Sequence, residues 1–361
     1  MSHYETRLQN DLIQIQDEVK RITEQVHRAL QSAVHALLTG NDKLAYSTIL
    51  GDGPINRAVR ALDRKCHGFI AVHLPSAGHL RTMSSIIRVG IELERIGDYA
   101  VTICRESVQL SSPPAGTVAR ELEGMAEAAR SMFEQAMEAF NNGNAEAARV
   151  TMKLADQISH SFDTALPDLM ASANEQRVKD LFAIFVVFNM LERVSDQSKN
   201  ICEEAVFAET GQQKAAKLYR ILFLDSDNSL YGPMAQAIAQ KAFPESGDYA
   251  TAGREPSPAV DSRVLSFMRE HGMDLTAVAP RALDLTAREL GDMHVIVSLD
   301  SPIGGYVDEV PFHSVVLEWD LPEITSESPD EEALPALESA YREIALQVRD
   351  LMHLLRGEGT A

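Results

Sequence analysis

The sequence Ile-Glu-Leu-Glu-Arg-Ile-Gly-Asp-Tyr-Ala, at Ile91–Ala100, organises the first half of this 361-residue chain. A second copy, Asn-Met-Leu-Glu-Arg-Val-Ser-Asp-Gln-Ser, stands at Asn189–Ser198. Both copies read Leu-Glu-Arg-(Ile/Val)-small-Asp and lie within long apolar helical patterns. The Glu and Asp of each copy are four positions apart, so a helix places them on one face, where like charges repel by a few tenths of a kcal/mol. A bound cation would offset this repulsion.

The first 210 residues carry two matched sets of helical patterns. Apolar residues at three- and four-residue steps predict helices over 5–38, 43–72, 79–110, 117–141, 144–173 and 175–209. The second of these helices has a weak point at Gly51–Pro54, and the turn at Gly40–Asp42 is echoed at Asn141–Asn144. Matched features of the two sets are separated by about a hundred residues. The sequence therefore predicts a duplicated three-helix unit, packed as two adjoining all-α bundles.

The pattern changes near residue 215. Short apolar runs predict four strands, at 218–225, 249–252, 294–299 and 314–319. Helical patterns at 233–242, 259–271 and 286–290 lie between them, and a final helix is predicted at 331–355. Strands that alternate with helices predict an α/β domain with a four-stranded parallel sheet. We therefore predict three domains, comprising the repeats at 1–112 and 116–212 and the α/β domain at 217–358.

Composition restricts the class of partner. The formal net charge of −20 argues against nucleic acid and against an anionic membrane surface, and it favours cations or basic protein surfaces. The three cysteines, Cys66, Cys104 and Cys202, form no close-spaced ligand pair, and so sparse a set is typical of a reducing cytosol. The start of the chain has no signal-peptide pattern, and the longest apolar run, 181–191, is about half a membrane span. We therefore expect a cytoplasmic protein that meets a membrane only through partner proteins.

The first half resembles the PhoU family, regulators of bacterial phosphate uptake. The resemblance covers nearly all of residues 1–210 and includes the duplication, the two Leu-Glu-Arg segments, His3-Tyr4, Leu80-Arg81 and the Asn-Ile-Cys-Glu-Glu sequence at 200–204. It implies a negative regulator of phosphate uptake and phosphate-starvation signalling. Such a regulator acts by contact with a phosphate transporter ATPase or a phosphate sensor kinase. Whether the chain forms a homodimer stays open.

The same resemblance implies metal binding, in some members as iron or zinc clusters. The implied ligands are Glu94, Asp98, Glu192 and Asp196, with Asp52 and Asp156 from the preceding helices. All-carboxylate ligands independently suit hard cations such as Mg, Mn, Ca or oxidised iron. The family often has His after the motif Asp, whereas this chain has Tyr99 and Gln197, which leaves metal identity and nuclearity open. The alternative is that each motif Glu is a solvated residue paired with the neighbouring Arg95 or Arg193.

Residues 218–325 resemble low-molecular-weight tyrosine phosphatases and thioredoxin-type arsenate reductases. In that family a strand ends in a Cys-x5-Arg loop, whose N–H groups and Arg hold an oxyanion while the Cys attacks. Here residues 224–235 read Leu-Asp-Ser-Asp-Asn-Ser-Leu-Tyr-Gly-Pro-Met-Ala, in which Asn228-Ser229 and Pro233-Met234-Ala235 match. Thr251-Ala252-Gly253 and the Glu-Trp-Asp-Leu-Pro-Glu sequence at 318–323 also resemble family segments.

The catalytic positions of that family are replaced. Asp225 stands at the position of the Cys, Tyr231 at that of the Arg, Asp227 where Gly is usual, and Glu323-Ile324 at the general-acid segment. Two acidic residues would repel an oxyanion, so we predict a catalytically degenerate domain that serves as a recognition surface. The alternatives are a metal-dependent phosphatase with Asp225 as nucleophile, a divalent cation held by Asp225 and Asp227, or a metal-sensing or storage protein.

Overall fold

The chain folds into two separate units, residues 1–214 and 215–361. The first has the long helical patterns of the sequence and the second has the short strand patterns. The computed structural model of the protein describes residues 3–171, 177–213, 217–283, 290–308, 310–322 and 330–357. Each unit is described by itself below. None of the helices in these ranges combines the length and the apolarity that a membrane span requires.

The described part of the first unit is helical. Its helices are α1 (His3–Thr39), α2 (Asp42–Leu50), α3 (Asp52–His73), α4 (Ala77–Ser107), α5 (Gly116–Asn141), α6 (Ala145–Met152), α7 (Leu154–Ala171) and α8 (Val178–Thr210). The turns before α2 and α6 are matched, because each places a glycine at positive φ and then an asparagine cap. The side chain of Asn41 accepts from the N–H of Leu44 at 3.1 Å, and that of Asn144 accepts from the N–H of Ala147 at 3.0 Å. The duplication is therefore repeated in local hydrogen bonding.

The middle helix of each repeat is broken into two. The first break is at Gly51, within the weak point that the sequence indicates, and the N–H of Gly51 bonds the carbonyls of Ser47 and Thr48. The second break is at Lys153, which the sequence analysis placed inside one continuous helix over 144–173. That prediction was wrong at this point, because no Gly or Pro marks the break in the sequence. The break is equivalent to the one at Gly51 in the first repeat.

The two repeats share one hydrophobic core. It includes Ile22 of α1, Leu93 and Ile96 of α4, Phe133 of α5 and Val194 of α8, all fully or almost fully buried. Each such side chain contributes about 1.5–3 kcal/mol relative to an exposed position. Helices α4 and α8 pack directly against each other. The two Leu-Glu-Arg segments are therefore central to one continuous core that joins the repeats.

The second unit contains the predicted four-stranded parallel sheet. Its strands are β1 (Tyr219–Asp225), β2 (Gly247–Gly253), β3 (Val295–Ser298) and β4 (Val315–Glu318), in the order β2-β1-β3-β4. Its helices are α9 (Tyr231–Ala242), α10 (Ser262–Glu270) and α11 (Asp330–Arg356). The helix predicted at 286–290 falls almost wholly outside the described residues. Strand β1 is central and buried, and the loop that follows Asp225 leads from its carboxyl end into α9.

Candidate functional site

Three carboxylates of the first repeat lie where the start of α3 meets α4. A Cβ built on Gly97 of α4 would lie 3.9 Å from Asp52 Oδ1, which places the Asp52 side chain against α4. Asp52 Oδ2 accepts from Asn56 Nδ2 at 2.9 Å, whereas Oδ1 is buried and has no hydrogen-bond partner. Desolvation raises the pKa of the Asp98 carboxyl, and the nearby charges of Asp52 and Glu94 raise it further. The site therefore concentrates negative charge.

A cation fits this concentration of charge. The unpartnered Oδ1 of Asp52 is a hard oxygen donor of the kind that Mg²⁺, Ca²⁺ and Mn²⁺ prefer. Within the ranges that the structure describes, however, no three His, Cys, Asp or Glu side chains are arranged to hold a metal ion. A metal bound here would need water or a rearranged side chain to complete its ligands. The metal site stays a prediction.

The second repeat places the same residue types differently. Glu192 is 6% exposed, and its Oε1 accepts from Ser159 Oγ of α7 at 3.1 Å. Asp156 Oδ1 lies 3.9 Å from Lys199 Nζ, and Asp196 is exposed. The second repeat thus has a positively charged side chain, Lys199, beside one of its carboxylates. The sequence analysis did not single out this lysine. The signal was available, because Lys199 is seven residues after Glu192 and so shares its helix face.

The arginines of the two motifs contact residues other than the motif glutamates. Arg95 Nη1 lies 3.2 Å from Glu92 Oε2 and 3.5 Å from Gln197 Oε1. Arg193 Nε donates to Asn189 Oδ1 at 3.3 Å. The described contacts of these arginines are thus to Glu92, Gln197 and Asn189, and the pairing of each motif Glu with its neighbouring Arg stays an alternative.

The two residues that depart from the family pattern contact each other. Gln197 Nε2 donates to Tyr99 Oη at 3.2 Å, and Asn200 Nδ2 donates to Gln197 Oε1 at 3.4 Å. Tyr99 and Gln197 occupy the same position in the two copies, immediately after the motif Asp. Since α4 and α8 pack together, this pair joins the repeats across their interface.

The carboxyl end of β1 holds the most strongly perturbed group of the second unit. Asp225 is 1% exposed, its Oδ2 accepts from the N–H of Gly232 at 3.1 Å, and its Oδ1 has no hydrogen-bond partner. Burial raises the pKa of Asp225 to about 7 against the lowering effect of the Gly232 N–H, and the charges of Asp300 and Asp227 raise it further. A carboxyl with this pKa is only partly ionised at neutral pH.

Three backbone donors of the loop are bonded to carboxylates of the protein. The N–H of Ser226 donates to Asp300 Oδ2 at 2.7 Å, that of Ser229 to Asp227 Oδ1 at 3.0 Å, and that of Gly232 to Asp225 Oδ2 at 3.1 Å. In an oxyanion-binding loop, donors of this kind point at the ligand. Here each is bonded to a carboxylate of the protein, and these carboxylates would repel an anion.

Asp300 is a member of this loop cluster that the sequence analysis missed. It follows β3, and the register Leu224↔Ser298 brings the carboxyl ends of β1 and β3 together. Its Oδ1 accepts from the hydroxyl of Tyr306. An acidic residue just after a buried parallel strand was the available signal, because ligand sites of such sheets form at the carboxyl ends of the strands.

Asn228 and Tyr231 complete the loop as structural residues. Asn228 is buried at φ +52°, a left-handed conformation that asparagine tolerates, and its Oδ1 accepts from Thr251 Oγ1 at 2.7 Å. Tyr231 is buried, and its hydroxyl donates to the carbonyl of Pro322. It therefore supplies no positive charge at the position where the resemblance of residues 218–325 implies Arg. The predicted replacement of the general acid, Glu323-Ile324, lies outside the described residues.

No cysteine occurs after residue 202. The three cysteines lie buried in the first unit, where burial raises the pKa of Cys66 to about 12, of Cys104 to about 11 and of Cys202 to about 12. None is a thiolate at neutral pH, and the loop after β1 has no thiol nucleophile.

Comparison with known proteins identifies the helical unit. Residues 19–107 and 122–205 match the PhoU domain. The first unit therefore contains two segments similar to the PhoU domain. The phosphate-specific transport system accessory protein PhoU homolog of Pseudomonas putida is 28% identical over 214 residues, which cover 58% of this chain and 83% of the relative. The crystal structure of PhoU from Pseudomonas aeruginosa covers 56% of this chain and 99% of its own, with 26% identity and a TM-score of 0.54.

The second unit is similar to other solved structures. The thioredoxin-dependent arsenate reductase of Corynebacterium glutamicum covers 40% of this chain and 64% of its own, with 18% identity and a TM-score of 0.31. Tyrosine phosphatases of the Wzb type are also similar to it. The likeness of fold predicted for the first half is confirmed, and the four-stranded parallel sheet predicted for the second half is present. The PhoU resemblance is further supported by the duplication, since each copy of the domain contains one Leu-Glu-Arg segment.

Proposed function

We propose that this protein is an accessory regulator of phosphate uptake whose activity resides in its helical unit. The observation that carries the proposal is the match of residues 19–107 and 122–205 to the PhoU domain. The P. putida relative is named as an accessory protein of phosphate-specific transport. The regulator damps phosphate import and phosphate-starvation signalling through contact with a transporter ATPase or a sensor kinase. The net charge of −20 would favour basic partner surfaces by electrostatic steering.

The second unit acts in this proposal as a recognition domain without catalysis. Three features support this role: the absence of a thiol after residue 202, the buried Tyr231 in place of an arginine, and the loop N–H groups bonded to carboxylates. A phosphate or arsenate entering the loop would have to displace Asp225, Asp227 and Asp300 from these donors. The charge of each carboxylate opposes that exchange.

The first repeat would hold the metal ion of this regulator. Asp52, Glu94 and Asp98 are the ligands that it supplies, and the buried, unpartnered Oδ1 of Asp52 supports the assignment. The ion would neutralise the three carboxylates and strengthen the contact between α3 and α4. Hard cations suit these ligands, among them Mg, Mn, Ca and oxidised Fe, while Zn remains an alternative.

Deleting the gene in its host tests the regulatory role. In phosphate-rich medium the deletion strain should show raised phosphate uptake and raised activity of a phosphate-starvation reporter. The wild-type gene should reverse both effects, and so should the Asp225→Asn variant, because the second unit performs no chemistry in this proposal. Uptake and reporter activity unchanged by the deletion would reject the role. Failure of Asp225→Asn alone to complement would favour the phosphatase alternative.

Metal content tests the carboxylate site. The wild-type protein purified without chelator should contain bound metal, and the double variant Glu94→Gln/Asp98→Asn should lose it. A metal at about 100 times its Kd stabilises the folded state by about 2.7 kcal/mol, so chelator should lower the Tm of the wild type and leave that of the double variant unchanged. Glu92→Gln is the matched control, since Glu92 pairs with Arg95 on the same helix. Equal metal content and equal Tm in all three proteins would contradict the site.

A further inference from the structure

Lys199 lies on the same face of α8 as the motif carboxylates of the second repeat. It follows Asp196 by three residues and Glu192 by seven, and both spacings place side chains on one helix face. Its Nζ is 3.9 Å from Asp156 Oδ1 on α7. A covalently attached positive charge therefore reaches the position at which the family resemblance implies a metal ligand.

The first repeat has no such cation at the matching position. Seven residues after Glu94 stands Val101, which is apolar and 7% exposed. The charge of Arg105, seven residues after Asp98, acts on that carboxylate. The buried Oδ1 of Asp52 also has no hydrogen-bond partner. The first repeat thus lacks a lysine at the position that Lys199 occupies in the second.

Glu192 of the second repeat is also stabilised by a neighbouring protein group. It is buried and accepts a hydrogen bond from Ser159 Oγ at 3.1 Å. Ser159 follows Asp156 by three residues, and the residue that follows Asp52 by three is the apolar Ile55. A buried carboxylate is tolerated when protein groups hydrogen-bond to it. The second repeat therefore supplies both a hydroxyl donor and an ammonium group where the first supplies neither.

We propose that the ammonium group of Lys199 takes the place of a metal ion in the second repeat, so that this chain binds metal in its first repeat alone. The inference rests on the metal binding proposed above for the first repeat. Lys199 would be the residue that sets the metal stoichiometry, because its positive charge repels a second cation and pairs with Asp156. The side chains of Lys199 and Asp156 are 40% and 56% exposed, so their pair contributes little to folding and can be removed without loss of structure.

Titration of the full-length protein with Mn²⁺ tests this inference. The wild type and Lys199→Arg, which keeps the charge, should bind the same amount of Mn²⁺ per chain. Lys199→Val, which copies Val101 of the first repeat, should bind twice as much. The triple variant Glu94→Gln/Asp98→Asn/Lys199→Val should bind as much as the wild type, now in the second repeat. Circular dichroism of each variant establishes that its helices are intact.

The outcomes separate the inference from the site on which it rests. If the wild type binds Mn²⁺ and Lys199→Val binds no more than the wild type, the lysine does not exclude metal. The inference then fails, while the site in the first repeat stands. Unequal binding by the wild type and Lys199→Arg would also overturn it. If the wild type binds none and Lys199→Val binds Mn²⁺, the role of Lys199 holds and the first site fails. Absence of binding in every variant would reject both.

Discussion

Asp225→Asn is expected to stabilise the second unit at about pH 8 by on the order of 4 kcal/mol. The estimate follows from a pKa raised to about 7 in the folded state against about 3.9 in the unfolded state, at 1.36 kcal/mol per unit. Asn keeps the acceptor for the Gly232 N–H. Its amide group can also donate towards the oxygens of Asn228 and Thr251 beside the unpartnered Oδ1 of Asp225. The substitution therefore removes a buried charge without removing its hydrogen bond.

The sign of the pH dependence follows from proton binding. Because the folded pKa of Asp225 is raised, the folded state binds a proton more tightly than the unfolded state does. The favourable contribution is fully present below about pH 4 and is lost as the pH rises through about 7. The difference in free energy of unfolding between Asp225→Asn and the wild type should thus be near zero at about pH 4 and reach its full value by about pH 8.

Tryptophan fluorescence during urea unfolding measures this difference in the second unit. Trp319 is the single tryptophan of the chain, and it is buried, with its ring centroid 5.8 Å from that of Phe223 on β1. Asp227→Asn is the control, because Asp227 accepts from the N–H and hydroxyl of Ser229 and from Ser257 and so loses good hydrogen bonds on substitution. A gain that is absent at pH 8 would show that Asp225 is ionised without penalty, and a gain independent of pH would show that ionisation of Asp225 is not its cause.

The periodicity of the sequence predicted most helices and strands to within a few residues, because amphipathic helices and buried parallel strands have distinct apolar spacings. It did not predict the break at Lys153. The residues there, Met152 to Leu154, contain neither Gly nor Pro, and the equivalent break in the first repeat is marked by Gly51. The break at Lys153 could be predicted only by aligning the second repeat with the first. Packing can maintain a helix break even where the sequence has no Gly or Pro.

The candidate sites, too, were only partly predictable from the sequence. Spacing within one helix identified Glu94 and Asp98, but it could not predict that Lys199 would reach Asp156 on another helix, or that Gln197 would bond Tyr99. These contacts depend on how neighbouring helices pack. The raised pKa of Asp225 likewise depends on burial and on an acidic residue that the parallel register of β1 and β3 brings close. Residue identity was predictable, whereas contacts made between elements were not.

Gly232→Ala should destabilise the second unit by about 2–6 kcal/mol. A Cβ at this position would lie 2.1 Å from Thr251 Oγ1 and 2.8 Å from Asp225 Oδ1. Thr251 is buried and donates to Asn228 Oδ1 at 2.7 Å, so its hydroxyl cannot move without breaking that bond. Overpacking costs about 1–3 kcal/mol, and a buried polar group left unsatisfied costs about 1–3 kcal/mol more. Helix propensity alone predicts the opposite sign, because Ala is favoured over Gly by about 1 kcal/mol.

Urea unfolding followed by Trp319 again gives the measurement, with Gly304→Ala as the matched control. An added Cβ at Gly304 has no neighbour within 4 Å, so that variant should stay within about 0.5 kcal/mol of the wild type. Adding Thr251→Ala to Gly232→Ala removes the closest contact and should recover part of the loss, a non-additive result that assigns the cost to this pair. Equal stability of Gly232→Ala and the wild type would mean that the loop can accommodate the added methyl group. If instead Gly232→Ala is destabilised and Asp225→Asn is stabilised, the loop is held by contacts within the protein, and its glycine makes room for the side chains of Asp225 and Thr251.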